Sequence, residues 1–223
     1  MQEVTPTPPP KHERRKDARP GELLAAALDL FVEKGYAATR VEEVARHAGV
    51  SKGTLFLYFP SKEELFKAVV RENISGRFPL WNAQFAAFEG STAEMLRHCM
   101  MLWWERLGSS KASGMTKLML TEGKNFPELA TFFRHEVIEP AHDLIRRILL
   151  RGAQRGEFAA VDPEYGVYAV LAPMLFLQLL VHANTSCFRT DGARPLNPQR
   201  YLSNQVQTLL DGLLLRPSSS SSG

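Results

Sequence analysis

The sequence predicts an all-α fold of about nine or ten helices: a small N-terminal three-helix unit, then a C-terminal helical bundle. Three observations predict it. Apolar residues recur every three or four positions from Leu23 to about Leu215, the spacing of one helix face. No stretch shows the strict alternation of a half-buried strand. Helix punctuation recurs along the chain, with Ser, Asp or Asn ahead of Pro or Glu at starts and Gly at stops.

Taken in order, residues 1–10 are rich in Pro and Thr and read as disordered. Residues 11–19, KHERRKDAR, extend this into a disordered basic arm, 1–19, with a weak electrostatic role. The first helix is expected from about Pro20 to Lys34, with Leu23, Ala27 and Phe31 on its buried face and Gly35 as its stop. Thr39 and Glu42 form a T-x-x-E capping box, so a second helix begins at Arg40. Val41, Val44, Ala45 and Ala48 give it an apolar stripe, and Gly49 ends it. Ser51 then caps a third, short helix in which Leu55 and Phe59 face inward. Gly53, Thr54 and Leu57 lie on its opposite face, with Tyr58 at the edge. Pro60 stops it, and Ser61 with Glu64 opens a fourth helix.

Two short helices around a tight turn, the second exposing small polar residues and one cation, make a helix-turn-helix, whose second helix enters the DNA major groove. An ordinary helical hairpin is the bland alternative. The segment AALDLFVEKGYAATRVEEVARHAGVSKGTLFLYFPSKEELF resembles, without a gap, the DNA-binding domain of the TetR family of transcriptional regulators. The resemblance covers about fifty residues, Gly21 to Val70, and the rest of the chain in layout only. Many relatives carry Tyr-Tyr-His where this chain has Phe56-Leu57-Tyr58, so Tyr58 is left to supply a hydroxyl that Phe56 lacks. Thr39, Arg40, Lys52, Tyr58 and Lys62 are candidate phosphate contacts. Ser51, Gly53, Thr54 and Leu57 face the groove, where Leu57 suits a thymine methyl group.

The helix-turn-helix unit is assigned to 20–66 and a ligand-binding and dimerisation unit to 67–216, with a low-complexity tail at 217–223. In the second unit, Ser91 to Leu107 and residues 113–122 read as helices. Pro127 opens a long helix to about Gln154, kinked at Pro140 and ended by Gly152 and Gly156. Asp162-Pro163 and Asn197-Pro198 each start a helix by an N-cap followed by Pro. The helices at about 163–186 and 198–215 are expected to form a four-helix interface with a second copy. Val167 to Ala183 is the most apolar run, but it includes Pro173, Gln178 and His182 and is shorter than the ~20 residues of a span. It reads as a buried helix, with no membrane.

The composition, 44% hydrophobic and 23% charged with a net charge of +3, is that of an ordinary globular chain. Two cysteines, Cys99 and Cys187, make no disulfide framework, and a cytoplasmic setting follows. No phosphate loop, dinucleotide fingerprint, nucleophile elbow or zinc-protease motif occurs, so neither an enzyme nor a cofactor nor a metal site is expected. Cys99 reads as core, with His98 beside it keeping a redox-sensor reading open. Large soft side chains in the second unit suggest a cavity: Trp103, Trp104, Met119, Phe132, Phe133 and Met174, with Gln178 and His182 as polar members. Gln178 and His182 either orient a ligand or hydrogen-bond across a subunit interface. The resemblance implies a homodimer on a palindromic double-stranded operator, most often a repressor released by a small apolar or aromatic effector. Control by a protein partner without a small ligand, and a helical-bundle enzyme, are the alternatives.

Overall fold

The computed structural model describes residues 11–159, 162–182 and 196–213, with side chains from Arg19 onward. Residues 1–10, Cys187 and the tail at 217–223 lie outside it. The described residues are helical with no strand, and they divide into two compact units, 1–72 and 73–223. The division falls at the end of the fourth helix rather than at 66/67.

The first unit holds α1 (Lys11–Lys34), α2 (Val41–His47), α3 (Lys52–Tyr58) and most of α4 (Lys62–Asn73). α1 begins nine residues before the expected start, with Pro20 inside it. The residues expected as a disordered arm, 11–19, are mostly Lys, Arg, Glu and Ala, which propagate a helix well. Gly35 and Gly49 end α1 and α2 with φ of 86° and 67°, the left-handed backbone that glycine adopts without strain. Leu23, Ala27, Phe31, Val44, Leu55, Leu65 and Phe66 form the core. Phe31, Tyr36 and Phe66 pack as a ring triad with centroids 5.5–5.7 Å apart.

The expected T-x-x-E box does not form. Arg40 stands at the α2 N-cap with no side-chain cap bond. The Thr39 hydroxyl turns inward and bonds the Leu30 carbonyl at 3.1 Å and the Gly35 carbonyl at 2.6 Å. Thr39 is 1% exposed, so it ties the turn after α1 to α1 itself. At the start of α4, the Ser61 hydroxyl does accept from the Glu64 N–H at 3.0 Å, as a cap should.

The second unit contains α5 (Phe78–Ala86), α6 (Thr92–Trp103), α7 (Gly114–Glu122), α8 (Pro127–Phe133), α9 (Glu139–Gln154), α10 (Pro163–His182) and α11 (Pro198–Leu213). Ser91 and Glu94 make a full capping box at α6. Asp162 and Asn197 cap α10 and α11 through their side chains, as the Asp-Pro and Asn-Pro pairs predict. α8 and α9 form one rod joined by a π-helical turn, Arg134–Ile138. Pro140 follows directly; it has no N–H for the carbonyl four residues back, and the helix widens there instead of kinking freely. A second π-turn, Trp104–Gly108, ends α6. Gly152 does not end α9 but lies inside it, where a Cβ would collide with the Phe158 ring at 2.2 Å. The stop is Gly156, with φ of 66°.

α10 is long and apolar enough to cross a membrane by composition alone. It instead packs against α7, α9 and α11, burying Val167, Val170, Met174 and Leu177.

Thr39 and Lys62 supply a test of the first unit. Thr39→Val should cost about 1 kcal/mol, a typical buried hydrogen bond. Lys62→Met should cost roughly 1.5–3 kcal/mol, the range for bonds to a charged group. Amide hydrogen exchange in α2 and α3 should speed up accordingly, by roughly 10- to 100-fold for Lys62→Met. Unchanged exchange in both variants would return these residues to the surface role.

Candidate DNA-binding and ligand sites

A seven-residue helix is too short to persist alone, so α3 depends on its anchors. Leu55 is fully buried beneath it. Ser51 accepts from the Thr54 N–H at 3.0 Å, and the Ser51 and Thr54 hydroxyls lie 2.8 Å apart. The outward face carries Gly53, half-buried Thr54 and Leu57, which is 85% exposed. An apolar side chain that far into solvent has no packing role in this unit. Phe56 and Lys52 flank it, the ammonium 5.7 Å from the ring centroid.

The phosphate candidates separate into two groups. Arg40 is exposed at the α2 N-cap. Lys52 is exposed too, but its ammonium is 2.5 Å from the Glu42 carboxylate. Hydrogen bonding from Lys52 is the main cause holding the Glu42 carboxyl below its ordinary range. Tyr58 is half-buried at the helix end. Thr39 is buried, as described, and its hydroxyl cannot reach DNA. Lys62 is also withdrawn: its ammonium donates to the carbonyls of Tyr36 at 2.7 Å, Thr39 at 2.9 Å and Ala37 at 3.4 Å. It lies 4.3 Å over the Tyr36 ring. The pattern PSK suggested a surface cation because these partners are 23 to 26 residues away in sequence.

The second unit holds a partly open cavity of about 340 Å³. Phe78, Trp81 and Phe85 of α5 form one wall, and Cys99, Leu102 and Trp103 of α6 another. α9 contributes Ala141, His142, Leu144 and Ile145; α10 contributes Tyr168, Leu171, Ala172, Met174, Leu175 and Gln178. Thr116 of α7 and the two π-turns, through Leu107, Val137 and Ile138, complete it. None of the twenty lining residues is Asp, Glu, Lys or Arg. Burial pushes the Cys99 thiol up to about 12, which works against the reactive thiolate that a redox sensor needs. His98 lies between the Phe85 and Phe88 rings, with centroids 6.2 and 6.0 Å away.

Of the eight ligand candidates, Trp103, Met174 and Gln178 line the cavity. Trp104 and Phe133 are core, and Met119 and Phe132 are half-buried elsewhere. Trp103 and Trp104 are adjacent and so point about 100° apart on a helix; sequence cannot say which faces inward. Both indoles close on Gly108, where a Cβ would meet them at 2.7–2.9 Å. His182 does not line the cavity. Its Nε2 meets the Ser113 hydroxyl at 2.5 Å and its carbonyl accepts from Lys117 at 2.7 Å. Burial, then the Lys117 charge, holds its pKa below the ordinary value. The α5 aromatic wall escaped the sequence reading because Pro79 looked like a break. Phe78, Trp81 and Phe85, at spacings of three and four, were the available signal.

Residues 23–69 match the profile of bacterial regulatory proteins of the tetR family, and residues 88–186 that of the tetracyclin repressor-like C-terminal domain. The chain belongs to the TetR family of transcriptional regulators. It is a DNA-binding regulator and not an enzyme. The HTH-type transcriptional regulator RutR of Escherichia coli K12 is 28% identical over 176 residues, covering 73% of this chain and 74% of RutR. FadR of Bacillus subtilis, solved with stearoyl-CoA, shares the fold at a TM-score of 0.71 and 19% identity, covering 86% of this chain and 98% of FadR. A transcriptional regulator from Saccharomonospora viridis, solved with choline, does so at 0.70 and 19%, covering 90% of this chain and all of that one. As a TetR-family protein, this chain places its reading helix at α3.

Three substitutions divide the work on DNA. Arg40→Ala should weaken every sequence alike and reduce the salt slope by about one. Leu57→Ala should change base preference and leave that slope alone. Glu42→Gln frees Lys52 and should strengthen binding to non-operator DNA, with a salt slope steeper by about one. Filter binding to operator and scrambled duplexes at two salt concentrations reads all three. A Leu57→Ala variant with unchanged preference would remove it from the groove.

Proposed function

We propose that this regulator is a homodimeric repressor, released from a palindromic operator by a neutral apolar or aromatic effector held in the second-unit cavity. The cavity lining carries this reading. A charged ligand would be desolvated there with no formal counter-charge, at a cost of several kcal/mol per ion; an apolar one gains about 25 cal/mol for each Å² removed from water. The lipid body of the stearoyl-CoA held by FadR is a ligand of this general kind. Arg40, Lys52 and Tyr58 are the remaining phosphate contacts, with Ser51, Gly53, Thr54 and Leu57 at the groove. A regulator governed by a protein partner alone would leave the cavity without a purpose. Acting on chromosomal DNA, the protein works in the cytoplasm.

α10 supports the dimer. Its 20 residues include Tyr165, Phe176 and Val181 as exposed apolar side chains outside the cavity lining, on a helix whose charged residue is Glu164. A second copy would cover them. Leu175, on the same helix, lines the cavity. A two-fold dimer reads half-sites about one DNA turn, ~34 Å, or a multiple of it apart. The effector must favour the state that cannot span them, since equal affinity for both states shifts nothing. α4 is the covalent path, ending at Asn73 where the second unit begins.

The experiment is a screen of neutral apolar compounds by thermal shift and fluorescence of Trp81 and Trp103, followed by operator titrations with each hit. Saturating effector should weaken operator binding about 5- to 150-fold, the usual size of such coupling. Tight hits that leave operator affinity unchanged would mean a pocket without a switch. Tyr165→Arg with Phe176→Arg should give monomers by light scattering that no longer bind the full operator; an intact dimer would move the interface elsewhere.

A further inference from the structure

One polar side chain in the cavity makes no hydrogen bond among the described residues. Gln178 is 5% exposed and lines the cavity from α10. Its amide atoms keep some accessible surface, so an occupant of the cavity can reach them, and a polar group so placed takes its partner from whatever fills the site. Its burial within a single chain also rules against the alternative role of bonding across a subunit interface.

The surroundings define what completes it. Ser113, just ahead of α7, and Lys117, within it, grip His182 at the end of α10 through the 2.5 and 2.7 Å bonds described above. They bring Thr116, a cavity-lining hydroxyl, to the same end as Gln178, one turn before His182. Lys117 donates to the His182 carbonyl and is not part of the lining. Tyr168 stands ten residues earlier on α10, about 15 Å along the helix. There its ring meets His142 edge-on at 5.3 Å. The α5 pair Phe78 and Trp81, in edge contact with each other at 5.5 Å, adds a further aromatic part of the lining. The cavity therefore has an amide-and-hydroxyl end and a ring-lined end.

Building on the effector reading above, we infer that the ligand is an uncharged amphiphile. One ketone, alcohol or amide group hydrogen-bonds to the Gln178 side chain, and an apolar body extends toward Phe78 and Trp81. An amide both donates and accepts, so Gln178 accommodates each of these groups. It offers no charge to hold a carboxylate. A site that hydrogen-bonds its ligand rejects the analogue lacking the group, because its own polar atoms are then left unpaired.

Three ten-carbon probes of matched size test this on the full chain at pH 7.5: butyrophenone, butylbenzene and 4-phenylbutyrate, measured by quenching of tryptophan fluorescence. Wild type should prefer butyrophenone at least 10-fold over each of the others. In Gln178→Leu the ketone should lose at least 10-fold while butylbenzene binds as well or better. The ligand-free Gln178→Leu protein should melt no lower than wild type, because the amide it loses makes no hydrogen bond within the described fold. Gln178→Met, a flexible replacement of similar length, should repeat both results. A merely structural Gln178 would give lower melting and a uniform loss for all probes, which overturns the inference. Equal binding of ketone and hydrocarbon by wild type overturns it as well, leaving the cavity an apolar effector site. Binding of none of the three overturns both the inference and the effector reading.

Discussion

The Lys62 ammonium holds the reading head together. α3 has seven residues and cannot persist on its own. Its position is set by α2 before it and α4 after it, and Lys62 at the start of α4 reaches back to three carbonyls in the turn between α1 and α2. Those carbonyls belong to a turn without a helix ladder, and each buried one needs a donor. One ammonium with three donors satisfies them and stands over Tyr36, whose ring packs on Phe31 and Phe66. The Thr39 hydroxyl closes the same turn from the other side. With the scaffold fixed from within, Leu57 and Thr54 are free to face outward.

Of the candidate phosphate contacts, Arg40 is exposed and Lys52 is shared with Glu42, so the salt-dependent attraction these two supply is modest. The second unit shows the complementary economy. Its cavity has no Asp, Glu, Lys or Arg in its lining, and the Gln178 amide there makes no hydrogen bond among the described residues. The two π-turns both border this cavity, and such turns are frequent at functional sites because they redirect side chains within an otherwise regular helix.

What the sequence disclosed was local. Gly35 and Gly49 punctuate helices through their own backbone freedom, and Ser51, Asp162 and Asn197 cap through neighbours two or three residues away. The family-like segment from α1 to α4 was legible for the same reason. Thr39 misled because a local capping rule lost to tertiary carbonyls at Leu30 and Gly35. Lys62 misled because its partners are more than twenty residues distant. Of the eight residues expected at the cavity, three are among the twenty that line it. Aromatic and Met side chains mark both core and pocket, and only packing separates Trp103 from Trp104. Gln178 stood out in the sequence as a polar residue within an apolar helix, and its environment explains why.

The central claim is that occupancy of the cavity and grip on DNA are one coupled equilibrium. Calorimetric titration of an effector into the protein alone and into its operator complex tests this directly. Linkage requires that bound operator weaken effector binding by the same factor by which effector weakens operator binding. The account predicts two equal factors, each between about 5 and 150. Identical effector affinity with and without operator would contradict it.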